Sequence, residues 1–155
     1  MSIIEQNNED LKQSSLTAKY ERDGIYRILS LDGGGAKGFY TLGVLKEIEG
    51  MLKSPLYQRF DLVFGTSTGA VIAALIALGY EIDEIHELYK ENVVHVMKMK
   101  SAKGRSKALA ELGQKIFGKH TFEDVKTNIG IVTTKWMIER PMIFKGSVTQ
   151  AHGRK

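Results

Sequence analysis

Apolar positions in this chain change their period wherever glycines interrupt them. Residues 26–31, Tyr-Arg-Ile-Leu-Ser-Leu, are rich in β-formers and run straight into a glycine cluster, which predicts a strand meeting a turn. After Gly38, the residues Leu42, Leu45, Ile48 and Leu52 recur at helical spacing, so the cluster opens an amphipathic helix. Residues 61–64, Asp-Leu-Val-Phe, closed by Gly65, predict a second, buried strand. Residues 70–78 are apolar on every side and stop at Gly79, the pattern of a helix buried in mid-domain with a glycine cap. Ile85, Leu88 and Tyr89 predict a more amphipathic helix, for which Asp83 is the expected cap. Residues 97–107 carry Lys98, Lys100, Lys103, Arg105 and Lys107 around Gly104 and read as a basic exposed loop or frayed helix end. Residues 108–117 return to helix, and residues 129–134 and 142–144 read as strands flanking a turn near Pro141. Strand and helix alternate, so the expected class is α/β with a largely parallel sheet. Residues 1–23 lack apolar periodicity and read as a flexible arm, leaving 24–155 as one unit.

Composition narrows the chemistry. The 155 residues are 43% hydrophobic and 26% charged, enough for one domain with a core of its own. A net charge of +4 favours anionic surfaces in general and is far from a nucleic-acid signature. Without cysteine there is no disulfide, zinc-thiolate site or cysteine nucleophile. The amino terminus has no apolar core of the signal-peptide kind, and the 70–78 run is less than half of a bilayer span. A cytoplasmic protein is the expectation. The basic 97–107 tract reads first as a solvated loop and second as a contact for an anionic membrane surface.

Two short motifs carry chemistry. Gly65-Thr66-Ser67-Thr68-Gly69 fits G-x-S-x-G, entered by a buried strand and left by a buried helix. A serine on so sharp a turn needs small neighbours, and the turn lifts its hydroxyl to a helix N-terminus, where developing negative charge is favoured. The plainer reading is a helix cap made by Ser67 or Thr68. The second motif is Leu31-Asp32-Gly33-Gly34-Gly35-Ala36-Lys37-Gly38. If the two strands run parallel, the bare amides of Gly33, Gly34 and Gly35 lie at the same end of the sheet as Ser67. They can then donate to a tetrahedral oxyanion. Lys37 supports that loop, attracts an anionic head group, or is simply a solvated lysine at a helix start.

Gly33-x-Gly35-x-x-Gly38 also matches the dinucleotide fingerprint, which requires an acid at the end of the next strand. Asp61 has plausible spacing but begins its strand, and the strand's end is occupied by GTSTG. A Walker loop fails because Phe39 stands where its lysine belongs, and the Leu31-Asp32 lead is unlike the HGGG loop of α/β-hydrolases. Of the histidines, His86, His95, His120 and His152, none has a local mark of a catalytic base. No His/Asp/Glu cluster has metal-ligand spacing.

LDGGGAKG after a first strand, with FDLVFGTSTGAVIA some thirty residues on, resembles the patatin-like phospholipases in motif type, order and spacing. The resemblance covers residues 26–78 well and 84–89 loosely. It implies a three-layer α/β/α fold with helices on both faces of a largely parallel sheet. It implies Ser67 as nucleophile on the acyl ester of a phospholipid or related lipid, Gly33, Gly34 and Gly35 as oxyanion donors, and no metal or organic cofactor. Transient membrane contact follows from such a substrate. Bacterial defence proteins that act after binding a cyclic nucleotide are one branch of that family. The family's base is an aspartate in a later Asp-Gly-Gly or Asp-Gly-Ala. Here the aspartates after Ser67 are Asp83 and Asp124, followed by Glu84 and Val125, while Asp23-Gly24 lies upstream. The expectation is therefore an amino-terminal piece of a patatin-like domain, incomplete at Lys155, whose dyad aspartate lies beyond it. The competing expectation is a binding module that lacks a base and holds lipid or nucleotide without turnover.

Overall fold

A computed structural model describes residues 24–146. The 1–23 arm and His152 lie outside the described residues. Among the described residues four strands, β1 (Ile28–Leu31), β2 (Leu62–Thr66), β3 (Asn128–Lys135) and β4 (Arg140–Lys145), form one sheet in sequence order. The helices are α1 (Gly38–Leu52), α2 (Thr68–Leu78), α3 (Ile82–Lys98) and α4 (Ala102–Phe117). The first three strands are parallel and β4 is antiparallel to β3, which is the expected α/β class.

The core follows from side-chain alternation. Leu29, Leu31 and Val63 point to one face of the sheet and pack with Leu42 and Leu45 of α1, Ile72 and Ile76 of α2, and Ile82, Ile85 and Tyr89 of α3. Each fully buried leucine or isoleucine there contributes about 1.5–3 kcal/mol relative to exposure. α2 lies at the centre of this layer, which explains why it has no polar face. Among the described residues the helices cover this face, while the other presents Ile28, 56% exposed, and the Phe64 ring lying over Gly130.

Three local expectations change. Asp83 does not cap α3. Glu81 does, in a reciprocal box with Glu84, and Glu49 of α1 accepts the Ile82 N–H at 3.0 Å. Asp83 instead pairs with Lys46 on the surface at 2.6 Å. The basic tract is loop only at residues 99–101: α3 continues to Lys98, and α4 begins at Ala102, capped by the Ser101 hydroxyl on the Gly104 N–H at 3.0 Å. The lysine density and Gly104 masked a one-residue start signal. Pro141 is not in the turn. Residues 136–139 reverse the chain, and Pro141 pairs with Thr134 in edge strand β4, where a missing N–H leaves the sheet intact.

Asp61 is 6% exposed at the amino end of β2. Its carboxylate accepts the Arg27 N–H at 2.7 Å, and its carbonyl accepts the Asn128 amide at 2.9 Å, so it ties the starts of all three parallel strands together. That is the end of the sheet opposite the glycine cluster, so Asp61 has no place at a ribose there. Asp61→Ala is expected to lower unfolding free energy by about 1–3 kcal/mol, because a part-buried hydrogen bond to a charged acceptor is lost and the Arg27 N–H loses that partner. Urea unfolding measures this, and a loss below the error of the measurement would remove Asp61 from that role.

Candidate active site

The site is built where β1 and β2 end. Their register pairs Leu31 with Gly65, so the segments leaving both strands, Asp32-Gly33 and Thr66-Ser67, emerge side by side. β2 turns into α2 within a single residue. Ser67 carries that reversal with φ 53° and ψ −120°, a region that L-residues avoid, and it is exposed. Its hydroxyl makes no capping bond to α2, which answers the plainer reading of the motif. The Thr68 hydroxyl is committed elsewhere, donating to the Gly35 carbonyl at 3.4 Å.

The glycines of the motif have separate physical causes. Gly65 backs directly onto the Gly69 carbonyl, and Gly69 onto the carbonyls of Leu31 and Asp32, so a Cβ at either would strike backbone. These contacts let α2 start against the end of β1. Gly33 is the link between the motifs, since a methyl there would stand 2.9 Å from Ser67 Cβ and 3.0 Å from the Thr66 carbonyl oxygen. Gly35 has φ 57° and opens a single 3-10 turn, Gly35–Lys37, that leads into α1. Gly38 is glycine because any side chain would run into the Tyr89 hydroxyl and Thr68 Cγ2.

Lys37 lays its aliphatic stem along Gly34, with a Cβ on that glycine falling 3.2 Å from Lys37 Cβ, and the residue is exposed. Of the three readings of Lys37, loop support has a contact behind it. Asp32, Gly33, Gly34 and Gly35 are exposed as Ser67 is, so the glycine loop and the serine share one accessible end of the sheet.

Of the histidines, the side chains of His95 and His152 lie outside the described residues, and the described contacts of the other two are with groups other than Ser67. His86 is on exposed α3 surface, 3.7 Å from Glu87 and edge-on to Phe39. His120 does lie 3.9 Å from a carboxylate, Asp124, a pairing that the sequence left unmarked. Their segment is tied to the far end of α2 by the Lys126 N–H on the Ala77 carbonyl, a helix length from Ser67. No group of three metal-ligating side chains is present among the described residues.

Two features near the elbow were not expected. An apolar cavity of about 280 Å³ runs along one stripe of α2, from Ala70 and Val71 through Ala74 to Leu78, roofed by Phe117 and Phe122 and floored by Ile129 and Ile131. It starts in the helix turn that follows Ser67, and Ile131 pairs with Gly65 across the sheet. The i, i+4, i+8 spacing of Ala70, Ala74 and Leu78 was visible, but small residues on a buried helix normally mean close packing. The second feature is Tyr89 of α3, 4% exposed, whose hydroxyl donates to the Gly35 carbonyl. Burial pushes its phenol above the ordinary range, and a hydrogen bond with Thr68 pulls the other way.

Residues 29–152 match the family model described as patatin-like phospholipase. The chain is 68% identical over 142 residues to a cUMP-AMP-activated phospholipase of Escherichia coli, covering 92% of this chain and 44% of that protein. It is 43% identical over 86 residues to phospholipase A I of Arabidopsis thaliana, covering 54% and 6%. To a cGAMP-activated phospholipase of Pseudomonas aeruginosa it is 30% identical over 131 residues, covering 77% and 39%. It thus spans less than half the length of each of these relatives.

Proposed function

Because this chain belongs to the patatin-like phospholipase family, we propose that it supplies the nucleophile and oxyanion loop of a serine acyl-ester hydrolase acting on phospholipids. The family carries the α/β/α architecture, of which residues 24–146 provide the sheet and one helical layer. The observation that supports the activity most directly is Ser67 held at φ 53° with Gly33 packed against it. A strained serine costs stability and persists where its position matters.

The Ser67 hydroxyl attacks the ester carbonyl. The amides of Gly33, Gly34 and Gly35 receive the oxyanion, the alcohol leaves, and water later releases the fatty acid from the acyl-serine. The proton acceptor for Ser67 in this reading is an aspartate beyond Lys155. Among the described residues neither Asp83, paired with Lys46, nor Asp124, at the far end of α2, is placed for that task. The apolar cavity along α2 takes the acyl chain. Activation by a cyclic dinucleotide, for which two of the relatives are named, is part of the same proposal.

The test is labelling of the complete protein with a serine-directed fluorophosphonate beside Ser67→Ala. An adduct that persists in the alanine variant, or no adduct in either protein, would overturn the hydrolase reading. The cavity makes its own prediction. Ala74→Phe adds a ring to the middle of the channel and is expected to lower turnover of long-chain esters about tenfold relative to short-chain ones. Competition between the two substrates in one assay measures this, and an unchanged ratio rejects the cavity as the acyl site.

A further inference from the structure

Three consecutive glycines make a loop with little stiffness of its own, yet amides that are to meet an oxyanion must hold their positions within about 0.5 Å. The first end of this loop is held by packing, because Gly33 lies against Thr66 and Ser67. The other end is not: nothing lies within 4 Å of the Cβ position of Gly35, whose φ of 57° is strained for any other residue. What restrains Gly35 is its carbonyl oxygen. That oxygen accepts the Gly38 N–H inside the 3-10 turn, the Thr68 hydroxyl at 3.4 Å, and the hydroxyl of Tyr89, which arrives from α3, 54 positions along the chain.

Tyr89 is itself well fixed. Its ring is 4% exposed and stands edge-on to Phe39 at 4.8 Å and 88° between planes. The absence of a side chain at Gly38 makes the space through which its hydroxyl reaches the loop. A phenol is protonated at neutral pH, and burial shifts this one further in the same direction, so it remains a donor. A carbonyl and the following N–H share one rigid plane and point in opposite directions. Holding the Gly35 oxygen inward therefore fixes the peptide plane that carries the Ala36 N–H and limits rotation at Gly35, which anchors the end of the segment bearing the three glycine amides.

We propose that Tyr89 is a positioning residue for the reaction at Ser67, its hydroxyl anchoring the Gly35 carbonyl so that the glycine-loop amides are preorganised for the oxyanion. This rests on the hydrolase reading above. The Thr68 bond is at the long limit of hydrogen bonding and is the weaker of the two hydroxyl anchors.

Tyr89→Phe in the complete protein tests it, because the ring and its packing stay and one donor goes. With a soluble short-chain ester, kcat is expected to fall ten- to hundredfold while KM changes less than twofold. The inhibition constant of a trifluoromethyl ketone analogue, which forms the tetrahedral adduct, should rise by the same factor. 4-Aminophenylalanine at position 89, which restores a donor, should recover most of both. A folded Tyr89→Phe protein with unchanged kcat and inhibition constant, or with only a lower Tm, overturns the proposal. Should that variant not fold, Thr68→Val removes the other hydroxyl from the same carbonyl. A parallel fall in kcat and inhibitor affinity then supports anchoring, and the lack of one rejects it. If Ser67→Ala is as active as the parent, the hydrolase reading has failed instead, whatever Tyr89 does.

Discussion

On the proposed hydrolase reading, replacing Ser67 by alanine in the complete protein is expected to leave a folded protein whose ester hydrolysis is lower by a factor on the order of 10⁴ or more, because the attacking oxygen is gone. Replacing it by glycine should abolish hydrolysis equally and raise the unfolding midpoint. Ser67 sits at φ 53° and ψ −120°, and such a conformation costs about 1–3 kcal/mol for a residue with a Cβ. Alanine keeps that cost and glycine removes it. Glycine also has a more flexible unfolded state, which offsets about 0.5–1 kcal/mol, so a net gain of about 1 kcal/mol is expected. Thermal unfolding of the three proteins at one pH makes the comparison. A glycine variant no more stable than the alanine variant would show that the turn stores no strain, even if both are inactive.

The largest loss of stability is expected at Gly69. A Cβ there meets the Leu31 carbonyl oxygen at well below contact distance and lies 2.7 Å from that of Asp32. Both atoms are backbone at the end of a core strand, so neither can swing aside. Gly69→Ala must push α2 off β1, and the cost is about 3 kcal/mol or more, comparable to the severe overpacking of a core. Ser67 and Gly33 separate as that happens, so fluorophosphonate labelling should fall with stability. Gly43, on the exposed side of α1, is the control, because its Cβ position is open. Gly43→Ala should stabilise by about 0.5–1 kcal/mol. The same chemical change thus has opposite signs at two helical glycines. A Gly69→Ala protein as stable as the parent would mean that helix and strand are not in the close contact described.

Much of the site was legible because its signals are short. A serine between glycines, a strand before it and an apolar helix after it occupy one stretch of chain, and the glycine cluster repeats that logic at β1. The α2 cap at Gly79, with φ 96°, was legible for the same reason. The errors arose where one residue competes with its neighbourhood. Ser101 had to start α4 among lysines, and Pro141 marked a turn that an edge strand tolerates instead. Glu81 outcompeted Asp83 because its partner Glu84 and its neighbour Glu49, a residue of another helix, both act at that helix start.

Tyr89 and Asp61 show the other limit. The sequence placed Tyr89 on a helix with an inward face, and nothing nearby indicates that its hydroxyl ends on Gly35. Asp61 had the spacing of a ribose acid and was found stapling strand starts to Arg27 and Asn128. The residues of this chain by themselves determined the two motifs, the strand–turn–helix units around them and the family that they resemble. Those features depend on dihedral preferences and apolar spacing within a few positions. Only the tertiary structure decided that Leu31 pairs with Gly65, so that the glycine loop meets the serine, and that Tyr89 reaches back to hold it. Register and long-range contact are set by how whole faces pack, and no local preference contains that information.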